Sequence, residues 1–287
     1  MLKGWLIYNK DSAKENNTYI RWFIHEASRQ NIELQLVLRE SLSIGIQNGK
    51  RTTYIDGKNV KLPDFLIIRV IEPILQAHFE ACFIPTFNCS TTSLICNHKS
   101  WTYMEMNKLH VPIVPTFFMT KNALPNKLPI DYPIVVKEAT GRSGKQVHFV
   151  QDKVDWEKCI ALLETNEFLI QATNVNLGED LRVFVVGKEI VGAVLRKNEK
   201  DFRSNFKLGG KAIPYSLSSE QEKLIHKIIN HFDFGLVGID FLINEHGELL
   251  FNEIEDVVGS RILSKVSDVN LLEKYVSFIK KRVSEIL

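Results

Sequence analysis

The sequence predicts a mixed fold, with an N-terminal α/β unit followed by two α+β lobes. Up to about residue 95, short apolar strands alternate with segments of helical periodicity. From about residue 97, strand pairs dominate and helices are interspersed, which favours α+β lobes over a TIM barrel. A length of 287 residues is ample for two or three lobes, each burying an apolar core.

The N-terminal unit is read from its hydrophobic periodicity. We predict strands over 4–8, 33–39, 51–55 and 64–69, and a helix through the apolar positions Ile20, Phe23, Ile24 and Ala27. Asn48-Gly49 and Asp56-Gly57 are typical of hairpin turns. Pro73 suits the first turn of a further helix. No Gly-x-Gly-x-x-Gly follows the first strand, which argues against a dinucleotide-binding Rossmann domain.

The remainder begins with a predicted helix over 99–109 and a proline-punctuated stretch that we expect to be mostly loop. The predicted strands then cover 134–138, 147–150, 168–171, 181–186, 190–196, 237–243 and 249–255. We predict helices over about 219–231 and from about 269 to the C-terminus. No internal repeat or low-complexity segment interrupts this pattern.

Composition excludes several classes of protein. Hydrophobic residues make up 45% and charged residues 24%, unlike disordered or fibrous chains. A net charge of +2 provides no excess of positive charge for nonspecific binding to nucleic acid. The longest apolar run, 159–163, is far short of the ~20 residues that span a membrane, and the N-terminus turns polar too soon for a signal peptide. The four cysteines lack Cys-x-x-Cys spacing, so we expect free thiols in a cytoplasmic protein.

The first candidate for chemistry is Lys137, near the end of an apolar strand and followed by the glycine-containing loop 141–147. Its ammonium group can meet phosphate oxygens while N–H groups of the loop approach them. The alternative is an ordinary hairpin with a solvated lysine at its rim. The loop lacks the Gly-Lys-Ser/Thr ending of a Walker A motif.

The second candidate is a group of three carboxylates, Asp240, Glu253 and Glu255. Glu253 and Glu255 are two apart on a predicted strand and therefore share a face. A hairpin turn at Gly247 places Asp240 roughly opposite Glu253. Oxygen-only ligation favours Mg²⁺ or Mn²⁺, and the alternative is three solvated carboxylates on a strand face.

A third group contains mainly basic and amide side chains. Arg203 can bind a phosphate or carboxylate through its guanidinium group, and Asn205 can supply a carbonyl oxygen to a metal. The alternative is that both lie on an ordinary surface loop. Asp180 and Arg182 open a predicted strand and form either a salt bridge alone or part of a site. Arg196 ends the next strand, where it can face the same cavity.

Taken in order, these motifs resemble the ATP-grasp ligases, and within them the RimK-type α-L-glutamate ligases and their lysine-biosynthesis relatives. The resemblance extends from Cys96 to the C-terminus. The pieces that carry it are Lys99, Val-Val-Lys137, the 141–147 loop, Leu-Ile-Gln171, Gly178-x-Asp180-x-Arg182, Ala193-x-x-Arg196, Asp-Phe-Arg203-Ser-Asn205 with Gly209-Gly210, Gly-Ile-Asp240, and Asn252-Glu253-x-Glu255 with Gly259.

The resemblance implies an ATP-grasp fold, with a pre-ATP-grasp domain over 1–95, an N-lobe over 96–172 and a C-lobe over 173–287. ATP would be clamped between the lobes with Mg²⁺, or Mn²⁺ in its place. The residues it implies for nucleotide binding are Lys99, Lys137, Gly141, Arg142, Ser143, Gly144, Gln171, Ala172, Thr173, Asp180, Arg182 and Asn205. The implied metal ligands are Asp240, Glu253 and Glu255.

The implied reaction is carboxylate–amine ligation. A carboxylate attacks the γ-phosphate, and an amine then displaces phosphate from the acylphosphate to form an amide. Arg196 and Arg203 are the residues we expect to stabilise the acylphosphate and the tetrahedral intermediate. The expected partners are an amino acid and a carboxylate on a peptide, protein or metabolite, and the expected assembly is a homodimer or homotetramer. The alternative is a non-catalytic ATP-binding interaction module.

Four positions depart from the family pattern. His98 stands where the family has Asp, and Glu255 where it has Asn. Ala172-Thr173 replaces an acidic residue followed by an aromatic one, and 256–259 reads Asp-Val-Val-Gly in place of Ser-Ser-Pro-Gly. The extra charge of Glu255 affects metal binding, and the altered 256–259 loop predicts an unusual substrate. A carboxylation chemistry would need a larger chain.

Overall fold

The structure is a computed structural model that describes residues 1–142, 144, 146–199, 201–203 and 210–286. Its N-terminal part follows the predicted α/β order. The elements there are β1 (Leu2–Tyr8), α1 (Lys10–Glu15), α2 (Asn17–Arg29), β2 (Ile32–Leu38), β3 (Leu42–Gln47), β4 (Lys50–Ile55), β5 (Lys58–Asn59), β6 (Phe65–Ile68), α3 (Pro73–Glu80), β7 (Thr86–Phe87) and α4 (Ser90–Cys96).

Two sheets make up this part. A parallel sheet has the strand order β2-β1-β6-β7, and a small antiparallel sheet has the order β3-β4-β5. Both predicted hairpin turns are confirmed, with φ of 51° at Asn48 and 48° at Asp56 and positive φ at the glycine that follows each. Two successive positive φ values give the backbone twist that tight hairpins require.

The middle of the chain forms an antiparallel sheet in the order β10-β9-β11-β8. Its elements are α5 (Lys99–Lys108), β8 (Thr116–Thr120), β9 (Ile134–Glu138), β10 (Val147–Val150), α6 (Lys153–Leu162) and β11 (Glu167–Ala172). Helix α6 covers one side of this sheet, and Cys159 and Trp156 pack into a core with the apolar residues of β9 and β11.

The last part is a five-stranded antiparallel sheet in the order β14-β13-β12-β15-β16. Its elements are β12 (Glu179–Val186), β13 (Glu189–Lys197), β14 (Lys211–Pro214), α7 (Ser219–His231), β15 (Leu236–Ile243), β16 (Leu249–Glu255), α8 (Leu263–Val266) and α9 (Leu271–Ile286). A complete capping box starts α7, because Ser218 and Gln221 satisfy each other's backbone N–H groups.

Two cores link the parts of the chain. Phe23 of α2 packs on Tyr275 of α9, so the parallel sheet shares a core with the C-terminal helix. Tyr103 and Met106 of α5 join the core under the five-stranded sheet. The mixed fold class is confirmed, whereas the exact domain boundaries stay a prediction.

Most predicted elements are present. Helix α6 and strand β8 were not predicted, and both bury few of their side chains. Among the residues of α6, only Cys159 is buried, so its sequence has almost no amphipathic signal. Strand β8 lies within the stretch that we expected to be loop, and Phe117 and Phe118 on it are exposed at the sheet edge. The four thiols are free. Within the described ranges, no helix has the length and hydropathy needed to cross a bilayer.

Gly4 provides a test of packing in the parallel sheet. A Cβ atom at this position would lie 2.3 Å from the ring of Phe65 on the neighbouring strand. We expect Gly4→Ala to lower the free energy of unfolding by about 1–3 kcal/mol, because the buried ring must move. The matched control is Gly45→Ala, whose Cβ would meet nothing closer than 4.0 Å. Urea unfolding measures both, and equal stabilities would contradict the packing argument.

Candidate active site

A cleft that is partly open to solvent lies between the middle sheet and the five-stranded sheet. We call it the central cleft. The predicted site residues that line it are Lys99, Lys137, Gly141, Arg142, Gly144, Gln171, Ala172, Thr173, Asp180, Arg203 and Glu253. Residues far apart in sequence therefore converge on one cavity. Ser143 and Asn205 lie outside the described residues.

Two lysines occupy one end of the central cleft. The Lys137 side chain, on the fully buried strand β9, donates a hydrogen bond of 2.6 Å to Asn252 Oδ1. Lys99, the first residue of α5, donates to the carbonyl of Gly141 and lies 3.9 Å from Glu253 Oε2. The two ammonium groups lie side by side in the cleft lining, so this part of the cleft is suited to an anion such as phosphate.

Burial changes the acidity of both lysines. It lowers the pKa of Lys137 to about 8, and it also lowers the pKa of Lys99. Glu253 opposes the change at both, whereas the charge of Lys99 further lowers the pKa of Lys137 and the charge of Arg142 further lowers that of Lys99. A bound anion would stabilise both protonated amines, so anion binding and lysine protonation are linked.

Behind the cleft lies a network of buried charges. Arg196 binds Asp180 through two hydrogen bonds of 2.5 Å, and its Nη2 also lies 2.8 Å from Asp240 Oδ2. Arg182 binds the same Asp240 through two bonds of 2.7 Å and reaches Glu255 at 2.5 Å. Burial acts to raise the pKa of Asp240, but the two guanidinium groups outweigh it and lower that pKa to about 2.

The predicted carboxylates are only partly brought together. Asp240 pairs with Glu253 across β15 and β16, as the hairpin predicts. The side chains of Glu253 and Glu255 are 39% and 41% exposed, whereas Asp240 is 1% exposed and faces Arg182 and Arg196. Within the described residues, no three His, Cys, Asp or Glu side chains are arranged to hold a metal ion. The oxygen donors of Glu253 and Glu255 nevertheless suit Mg²⁺.

One cleft residue could not be assigned from alternation alone. In the β15–β16 pairing, Phe241 faces Phe251 and Asp240 faces Glu253, so Asn252 is an extra residue in a β-bulge. A bulge re-aims a side chain, and Asn252 and Glu253 consequently both line the cleft although they are adjacent. The only sequence signal for Asn252 was its place beside Glu253 in the Asn-Glu pair.

The cleft also has an apolar lining. Val135 and Leu242 line it, together with residues 171–173. Gln171 donates to the hydroxyls of Tyr103 and Thr116, while its buried Oε1 has no hydrogen-bond partner. Apolar side chains beside the polar groups at the end of β11 are suited to a flat heterocycle.

Arg203 connects two loops across the cleft. Its Nη1 donates to the carbonyl of Gly144 at 2.7 Å, and its Nη2 lies 2.8 Å from Asp201. The guanidinium carbon also lies 5.4 Å from the ring centroid of Phe202. Arg203 therefore ties the 141–147 loop to the 201–203 segment, with a side chain that reaches the cleft.

Four predicted site residues lie outside the lining of the cleft, namely Arg182, Arg196, Asp240 and Glu255. Arg196 is 3% exposed, so in this structure it contacts other protein groups and not the cleft. The four residues form the charged support immediately behind Asp180 and Glu253. Their individual predicted roles remain predictions.

Comparison with known proteins identifies the class to which this fold and cleft belong. Residues 117–279 match the RimK-like ATP-grasp domain. Because that match covers more than half of the chain, the chain belongs to the RimK-like ATP-grasp family.

The chain is similar in sequence to the human N-acetylaspartylglutamate synthase A, with 27% identity over 84% of this chain and 66% of that protein. It is also similar to the alpha-aminoadipate–LysW ligase LysX of Saccharolobus solfataricus, with 29% identity over 69% of this chain and 76% of that protein. The matched stretch thus spans just under two thirds of the human synthase.

Solved structures share the fold. The D-alanine–D-alanine ligase of Bacillus anthracis complexed with ATP superposes with a TM-score of 0.75, 14% identity and coverage of 100% and 98% of the two chains. The ATP-grasp ligase PsnB complexed with its minimal precursor, Mg and ADP gives a TM-score of 0.67, 12% identity and coverage of 98% and 97%. The predicted family and ATP-grasp fold are confirmed. The predicted class, a carboxylate–amine ligase, is borne out against a non-catalytic module.

The buried charge network yields a stability prediction. We expect Arg196→Met to lower the free energy of unfolding by about 3–5 kcal/mol, because Asp180 then loses its bidentate partner in a buried position. The matched control is Arg282→Met, whose pair with Asp233 is exposed and should matter by less than about 1 kcal/mol. Urea unfolding of both variants checks this, and similar losses would show that burial does not decide the cost.

Proposed function

We propose that this chain joins a carboxylate to an amine with ATP bound in the central cleft. The observation that carries the proposal is the pair of lysines Lys99 and Lys137 beside Glu253, in a cleft that apolar residues also line. Lys137 is buried and Lys99 is partly buried. This polarity matches a nucleotide, whose phosphates need cations and whose base needs an apolar slot.

The nucleotide's orientation follows from the lining of the cleft. The phosphates would lie against Lys99 and Lys137, with Gly141, Arg142 and Gly144 of the cleft lining beside them. The base would lie between Val135 and Leu242, beside the backbone of Ala172 and Thr173. The buried, unpartnered Oε1 of Gln171 would then accept a hydrogen bond from a donor at that end.

Glu253 and Glu255 are the residues that would hold Mg²⁺. Both carboxylates are partly exposed, and they lie on β16, the strand that also supplies Asn252 to Lys137. The same oxygen donors suit Mn²⁺. The metal, when bound, neutralises phosphate charge. Asp240 would need to exchange a contact with Arg182 or Arg196 before ligating it, since both of its oxygens are engaged.

The proposed ligation proceeds in two displacement steps. A carboxylate oxygen bonds to the γ-phosphorus as the bond to the ADP oxygen breaks, which yields an acylphosphate and ADP. The amine nitrogen then bonds to the acyl carbon, phosphate leaves and the nitrogen loses a proton. Arg203 would stabilise the transferring group, because its guanidinium reaches the cleft. Arg196 would act through Asp180 and Asp240 as a positioning residue unless it is released from them.

The proposed substrates are an amino acid as the amine and a peptide, protein or small metabolite as the carboxylate. The names of the relatives support this range, since one is a synthase of an N-acetylated dipeptide-like compound and another ligates alpha-aminoadipate and LysW. We also propose a cytoplasmic enzyme without a nucleic-acid or membrane partner, acting as a homodimer or homotetramer.

The direct test measures ADP release with Mg²⁺ and ATP across pooled amino acids and short peptides. We expect ADP release that depends on the pool and falls by at least about 100-fold in Lys137→Ala and Glu253→Ala, because each removes a charge from the phosphate end. The controls are Lys223→Ala and Glu222→Ala, both exposed on α7. Absence of ATP binding in the unaltered protein would overturn the proposal.

The acidity of Lys137 predicts a pH dependence. Its pKa is about 8 in the unliganded protein, and only the protonated amine attracts phosphate. The affinity for ATP should therefore be nearly constant below about pH 7 and should weaken as the pH rises through 8. Calorimetric titration across pH 6.5–9.5 measures this. Lys137→Arg keeps its charge, so its profile should be flatter, and identical profiles would contradict the assignment.

A further inference from the structure

A groove in the N-terminal part of the chain contains none of the predicted site residues. Trp5 and Gln35 of the parallel sheet line it together with residues at positions 55, 56 and 58–61, and we call it the N-terminal groove. Gln35 is on β2 and residues 58–59 form β5, and each of these strands is at the edge of its sheet. An edge strand carries backbone N–H and C=O groups that lack a strand partner.

The N-terminal groove has an apolar portion. Ile55 and Val60 pack against the core that holds Trp5 and Phe79, whose rings meet edge to face with 6.1 Å between their centroids. Trp5 is only 6% exposed, yet its indole N–H donates to no acceptor within the described part of the chain. Because a buried indole usually finds an acceptor, this N–H is suited to a ligand in the groove.

Exposed polar side chains complete the lining, namely Gln35, Asp56, Lys58, Asn59 and Lys61. Over the ranges that the structure describes, neither lysine forms an ion pair, and the amides of Gln35 and Asn59 form no hydrogen bond with another residue. By contrast, Lys3 on β1 pairs with Glu33 at 3.4 Å. The two lysines of the groove are therefore available to an anion from outside the chain.

The positive charge is local to this part of the sequence. From residue 50 to residue 61, Asp56 is the single carboxylate, and the cations are Lys50, Arg51, Lys58 and Lys61. The whole chain has a net charge of only +2, so the excess is concentrated here. A local excess of one sign favours a partner of the opposite sign.

These features together favour an acidic polypeptide over other anions. The edge strands and the amides of Gln35 and Asn59 can bond a peptide backbone, while Trp5 and Val60 can contact an apolar side chain. A nucleic acid would need cations that follow its successive phosphates, and only two lysines line this groove. A free phosphate would leave the apolar portion uncovered.

We propose that the N-terminal groove binds an acidic, extended segment of the peptide or protein whose carboxylate is ligated. The segment's carboxylates meet Lys58 and Lys61, and one of its oxygens accepts from the Trp5 indole. The inference rests on the proposed function and deepens it, since it selects a polypeptide over a small metabolite as the carboxylate substrate. Docking in the groove raises the effective concentration of the reacting carboxylate at the central cleft.

The test measures fluorescence anisotropy of a labelled short peptide in which Glu alternates with Leu, titrated with the full chain without ATP. We expect binding that weakens by about tenfold or more when Gln replaces every Glu, because the carboxylates then no longer meet the lysines. Binding should also weaken as salt rises from about 0.01 M to about 0.15 M, which shortens the Debye length from about 30 Å to about 8 Å.

Matched charge reversals separate the groove from general electrostatics. The double variant Lys58→Glu, Lys61→Glu should lose about tenfold or more in affinity for the Glu peptide. The control Lys223→Glu, Lys227→Glu changes the net charge equally at two exposed positions of α7 and should bind as the unaltered protein does. Equal losses in the two variants, equal binding of the Gln peptide, or tighter binding of an oligothymidine would overturn the proposal.

Amide hydrogen exchange locates the bound peptide. We expect slower exchange over residues 32–38 and 55–61 in the complex, because the peptide covers these edge strands. Lys137→Ala, altered in the central cleft, should show the same protection. Protection confined to residues that line the central cleft would contradict docking in the N-terminal groove.

Failure of the proposed function would look different. If the Glu peptide binds through Lys58 and Lys61 but ATP is neither bound nor cleaved, the groove is a docking site and the ligase proposal falls. If ADP release proceeds while the Glu peptide binds the unaltered protein and the Lys58→Glu, Lys61→Glu variant equally, the ligase stands and the docking site is wrong.

Discussion

The pairing of two arginines with two aspartates in the five-stranded sheet is the constraint on which the rest of the site depends. Arg196 and Arg182 share Asp240, and Arg196 also holds Asp180, so β12, β13 and β15 are locked at one point. A buried charge is costly unless an opposite charge pairs with it, and here the arginines and aspartates of the sheet pair with each other. The contacts of Lys99 and Lys137 are looser, with Glu253 at 3.9 Å from Lys99 and the neutral Asn252 bonded to Lys137, which suits both amines to meeting the phosphates of a ligand.

Much of the fold could be predicted from the sequence because its signals are local. Strands such as β9 and β16 are short apolar segments bounded by turns, and the cross-strand pair Asp240–Glu253 follows from one hairpin. Helix α6 could not be predicted from amphipathic periodicity, since tertiary packing buries only Cys159 on it. Its position depends on the sheet that it covers.

The sequence predicts which residues belong to the candidate site better than it predicts how they are arranged. Sequence motifs identify Lys99, Lys137 and Glu253, which the fold brings to one cleft. They do not reveal the bulge that turns Asn252 towards Lys137, because a bulge is a property of two paired strands.

The decisive measurement is the identity of the activated intermediate. Hydroxylamine can replace the amine and convert any acylphosphate into a hydroxamate, so pooled carboxylates can be screened with Mg²⁺, ATP and hydroxylamine while the nucleotide product is identified. We predict hydroxamate formed in equal amount with ADP and phosphate, and none of these products in Lys137→Ala. Formation of AMP and pyrophosphate, or ADP without hydroxamate in the presence of an active carboxylate, would contradict attack on the γ-phosphate.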